Sequence, residues 1–111
     1  MKEQLHHLNH LLECITSSHS SKSFSELHTI LEKYTKILGF VNSYNEAFKR
    51  ATSVYYTDIN SIRDQIQEAL YAESQKEKDE AFEKARTELQ NDIQALAILI
   101  KPESELVEMV I

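Results

Sequence analysis

His6, His10 and Cys14 follow one another at intervals of four residues, so a helix over the first sixteen residues stacks two imidazoles and a thiol along one face. Nitrogen and sulfur donors in such a column suit zinc or copper. Three ligands on one helix seldom close a tetrahedron, so a fourth would have to come from elsewhere. The plainer reading, which we favour, makes them a polar flank beside a leucine stripe with a small buried cysteine.

Five tyrosines, Tyr34, Tyr44, Tyr55, Tyr56 and Tyr71, fall within forty residues. Three of them lie on apolar columns, so their rings are expected to fill core while their hydroxyls reach its edge. A pocket for an aromatic ligand between helices is the functional alternative. Asn45 and Thr52 interrupt the same column near its middle. Polar residues there either fix helix register or oligomeric state, or border a loop and cap a helix.

His28 is followed by Lys33 and Gly39. In size and helical class the chain loosely resembles the histidine phosphotransfer bundles, and the resemblance implies His28 as the phosphoacceptor. Those domains place a lysine and a small residue directly after the histidine turn, whereas Leu31 and Glu32 stand there in this chain. A carboxylate at that point repels a phosphoryl group, and a solvent-facing histidine is the expectation. No Ser-His-Asp order, paired-carboxylate signature, Cys-x-x-Cys or glycine-rich phosphate loop is visible, and catalysis is not expected.

The elements that must position these residues are helices. With one glycine, Gly39, and one proline, Pro102, in 111 residues, the chain has almost none of the turn chemistry that β-hairpins lean on. Leu5, Leu8, Leu11, Leu12 and Ile15 mark a first helix from about Lys2 to Thr16. The serine-rich run at 17–23 ends it, since serine hydroxyls compete for backbone hydrogen bonds. Ser23 with Glu26 fits a capping box that opens a second helix.

From Phe24 an alternating 3-4 spacing runs through Leu27, Leu31, Tyr34, Leu38 and Val41 to Ile59, Ile62, Ile66 and Ala69. Ile30, Ile37, Tyr44 and Ala51 add a second column, which is wider than a two-stranded coiled-coil seam and favours a bundle. Gly39 as a helix-ending residue, with Ser43 and Glu46 as a new capping box, predicts a break near 39–42. The polar stretch Glu73 to Glu80, with Ser74 and Glu77 as a third box, predicts a turn near 73–76 and a last helix from about Lys76. Pro102 should stop that helix. From Ile93 to Ile100 every residue except Gln94 is apolar, so burial on most sides is expected there.

Twelve basic residues against 18 acidic ones, with no concentrated Lys/Arg stripe, disfavour nucleic-acid binding. No apolar window approaches the ~20 residues of a membrane span, and a lone cysteine suits the cytoplasm. Leu106, Val107, Met109, Val110 and Ile111 make the terminus unusually apolar, so residues 103–111 are a candidate docking tail that either folds back or joins a partner. The expectation is a single all-α domain, an antiparallel bundle of about four helices, with a long helical hairpin packed as a coiled coil as the alternative. The expected role is a non-enzymatic protein–protein interaction module of the adaptor, chaperone, immunity or anti-effector type. It takes a protein partner or a second copy, no cofactor, no nucleic acid and no membrane. The alternatives are a metal or small-ligand sensor and a phosphotransfer domain.

Overall fold

A computed structural model describes residues 1–16 and 24–110, with side chains as far as Ser104. Four helices account for them: α1 (Lys2–Thr16), α2 (Phe24–Tyr44), α3 (Glu46–Tyr71) and α4 (Gln75–Val110). They pack as a helical bundle, and among the described residues there is no strand. The Ser23–Glu26 box and the serine-rich run lie outside the described residues.

Cross-helix bonds give the directions. Asn42 reaches Thr52 while Arg63 reaches Glu32, so α2 and α3 are antiparallel. Tyr34 meets Asp92 and Tyr44 meets Glu103, so α2 and α4 run parallel. Ile15 at the end of α1 and Phe24 at the start of α2 both meet α4 within one turn, at Arg86 and Phe82.

The core is the expected set of leucines and isoleucines. Leu8, Ile15, Leu31, Leu38, Ile62, Leu89, Ile93, Leu96 and Ile100 are all 0 % exposed. Full burial of one such side chain contributes roughly 1.5–3 kcal/mol. The second column is narrower than its sequence suggests. Ile30 is buried and Ile37 half-buried, but Tyr44 and Ala51 face solvent.

Three boundary expectations are corrected. Gly39 does not end α2, because its backbone stays helical and no glycine takes a positive φ. The break falls at Asn45, which is extended (φ −160°, ψ 173°) and accepts the Phe48 N–H at 2.8 Å as the N-cap of α3. Ser43 is no cap: its hydroxyl donates back to the Gly39 carbonyl at 2.9 Å, inside the last turn of α2. Asn45 satisfies an orphan N–H through its own side chain, so a single residue turns the chain without glycine.

Pro102 does not stop α4, which continues to Val110. Pro102 and Ile98, four residues earlier, are both exposed, so the carbonyl that loses its helical donor sits on the wet side of the helix. In the Ile93–Ile100 run Ile93, Leu96, Ala97 and Ile100 are buried and Ala95 and Leu99 partly so, while Ile98, 65 % exposed, shares the one open face with Gln94. The 73–76 turn is present: α3 ends at an extended Ala72, and Ser74 Oγ accepts the Glu77 N–H at 3.1 Å.

Candidate functional site

A groove of about 540 Å³ lies between α1 and α2. Its rim holds His6, His7 and His10 from α1 and Lys33 and Lys36 from α2, and its floor is Leu11 and Ile37. The helices present these residues because Leu8, Leu11 and Tyr34 turn inward. The polar residues between them therefore fall on the outer flank. Among the described residues no carboxylate lines the groove, although the chain carries a formal net charge of −6.

The candidate metal column is only partly assembled. Cys14 Sγ lies 3.8 Å from His10 Nε2, while His6 turns toward His7, the two rings 6.0 Å apart. Among the described residues no three His, Cys, Asp or Glu side chains form a group that could hold a metal ion.

His28 faces solvent, as its position on the outer flank of α2 requires. Its Nε2 is 4.0 Å from the Glu32 carboxylate, which Arg63 also approaches at 3.4 Å. Asp64 and Arg63 line the adjoining hollow. An acceptor histidine placed here would hold its phosphoryl group against Glu32.

The tyrosines do not gather into one pocket. Tyr34 is fully buried and its hydroxyl donates to the Asp92 backbone carbonyl at 3.5 Å, while Tyr71 is 82 % exposed. Burial, then the Asp92 charge, raises the Tyr34 phenol far above its ordinary range. Burial followed by the Asp92 and Asp58 charges raises Tyr55 as well. Tyr44 stacks between Phe40 and Phe48, with ring centroids 6.5 and 5.7 Å away, and donates to Glu103 Oε1 at 3.2 Å. That hydrogen bond, and next the Glu103 charge, raises the Tyr44 phenol. The result is a three-ring ladder at the α2–α3 corner, tied to α4 just beyond Pro102.

Of the two polar interruptions, Asn45 proves to be a cap. Thr52 is fully buried, donating to the Phe48 carbonyl at 2.7 Å and accepting from Asn42 Nδ2 at 2.9 Å. It joins α2 to α3 without leaving an unpaired hydroxyl.

A carboxyl pair that the sequence does not announce lies between α3 and α4. Burial, the Asp58 charge, a hydrogen bond with Asp58 and the Glu88 charge, in that order, push the Asp92 carboxyl up to about 7. Asp92 Oδ2 and Gln65 Oε1 are buried polar atoms without a partner, although Gln65 Nε2 donates to Glu88 Oε1 at 3.0 Å. Asp58 and Asp92 are thirty-four positions apart in sequence, and each directly precedes a core isoleucine, Ile59 or Ile93. That adjacency is the one trace of the pair in the sequence.

Compared with known proteins, the chain matches no family model, no curated protein and no solved structure. No described helix is long and apolar enough to cross a membrane. The side chains of Leu106, Val107, Met109, Val110 and Ile111, the candidate docking tail, lie outside the described ones. The backbone through Val110 continues α4.

Proposed function

We propose that this protein is a non-enzymatic interaction module of the cytoplasm, of the adaptor, chaperone, immunity or anti-effector kind, that binds another protein through its helix faces and the C-terminal end of α4. The observation that carries this reading is the Phe40–Tyr44–Phe48 ladder. Phe40 and Tyr44 stand on the surface of a bundle whose core is already closed, 49 % and 43 % exposed, while Phe48 packs partly buried against that core, and Tyr44 reaches Glu103 at the base of the apolar segment. Exposed aromatic groups that a closed core does not need are what a partner surface buries. Polar recognition surfaces accompany it: a mixed-charge hollow at His28 and a basic groove at α1–α2.

Affinity capture from the cells that make the protein tests this. The full chain is expected to retain a protein that Phe40→Ala releases, with helicity unchanged. Failure of the full chain to retain any protein would count against the reading.

A further inference from the structure

The α1–α2 groove is electropositive on an acidic protein. His6, His7, His10, Lys33 and Lys36 surround it, and among the described residues no carboxylate lines it, on a chain with 18 acidic and 12 basic residues. Leu11 and Ile37 give it an apolar floor. Its complement is a helix that carries carboxylates beside a short apolar run.

The chain contains such a helix at the end of α4. Tyr44 closes α2 and its hydroxyl reaches Glu103, and α2 and α4 are parallel. The residues of α4 after Ser104 therefore continue past the end of α2, for roughly 9 Å at about 1.5 Å per residue. Their sequence, Glu105-Leu106-Val107-Glu108-Met109-Val110, has two carboxylates, four apolar residues and no base. It cannot reach its own groove, because the groove flanks α2 at Lys33–Ile37, two turns before that end, and α4 runs on as one helix. A second copy has no such restriction.

Resting on the reading that this protein works through protein contacts, we propose that the chain forms a two-fold dimer in which the acidic, apolar end of α4 from each copy occupies the His/Lys groove between α1 and α2 of the other. Across the two-fold axis each copy gives its helix end to the same copy from which it receives one, and that mutual exchange closes the assembly at two. Lys33 and Lys36 face Glu105 and Glu108, the imidazoles supply further hydrogen-bond donors, and Leu11 and Ile37 receive the apolar run.

Sedimentation of the full chain with a charge swap tests the arrangement. The wild-type protein should dimerise, and Lys33→Glu/Lys36→Glu or Glu105→Lys/Glu108→Lys alone should weaken association by at least about tenfold. A mixture of the two variants should associate again, since each then offers a groove and a helix end matched to the other. Lys33 and Lys36 are exposed, and far-UV circular dichroism checks that each variant keeps the fold. A wild-type monomer at ~100 μM, a dimer indifferent to both variants, or a mixture that stays monomeric would each overturn the proposal. A monomer that still retains another protein through Phe40 would overturn the dimer while leaving the interaction reading standing.

Discussion

The seam between α3 and α4 and the groove between α1 and α2 place polar groups in opposite circumstances. In the seam, Asp92, Asp58, Gln65 and Glu88 are pressed between packed helices, and two of their polar atoms lack partners. In the groove, three imidazoles and two ammonium groups stand open to water around an apolar floor. Charge confined to a packed seam acts on the protein's own stability. Charge at an open groove is available to something else, and the difference separates the part that holds the bundle from the part that can bind.

Truncation on either side should break that contrast most visibly. Ile93→Ala, which truncates a fully buried side chain next to Asp92 in the seam, is expected to destabilise by about 2–4 kcal/mol in chemical denaturation. Ile37→Ala on the half-buried groove floor should remove about 1 kcal/mol or less, because solvent already reaches it. Equal losses would show that the groove is packed as tightly as the seam.

The next effect concerns pH. The folded Asp92 carboxyl sits at about 7 against an ordinary 3.8, so the native state holds that proton more tightly than the unfolded chain does. Its contribution is therefore fully present below about pH 4 and is lost as pH rises through about 7. At a half-buried site, solvent screening limits the loss to roughly 1–2 kcal/mol. Asp92→Asn should flatten the stability profile over that window and stabilise the protein at pH 8. An unchanged slope would place the carboxyl in water.

The smallest effect refines the helix that carries Lys33 and Lys36. Gly39 lies inside α2 with helical dihedrals, and among the described residues a Cβ there would meet Tyr56 Oη alone, at 4.0 Å. Gly39→Ala should stabilise by about 0.5–1 kcal/mol in thermal unfolding by removing backbone freedom from the unfolded chain.

The helices and their buried faces were legible because apolar spacing is set locally: Leu8, Leu31, Ile62 and Ile93 are core for the reason their positions suggest. Boundaries were less so. Gly39 and Pro102 are breakers by propensity, but one sits within a packed helix and the other on an exposed face, where its missing N–H is tolerated. Asn45 outcompeted Ser43 as the cap, a choice that side-chain geometry makes and composition does not. The groove was half visible. The spacing of His6 and His10 points to them, but His7, Lys33 and Lys36 join them only once α1 and α2 are side by side. The Asp58–Asp92 pair required α3 to fold against α4, which no local motif encodes.

Sedimentation equilibrium on Lys33→Glu/Lys36→Glu and on Asp92→Asn, side by side, tests most directly whether the groove binds and the seam only holds. The groove variant should lose self-association while Asp92→Asn keeps it. Association lost in both variants, or in neither, would contradict that division.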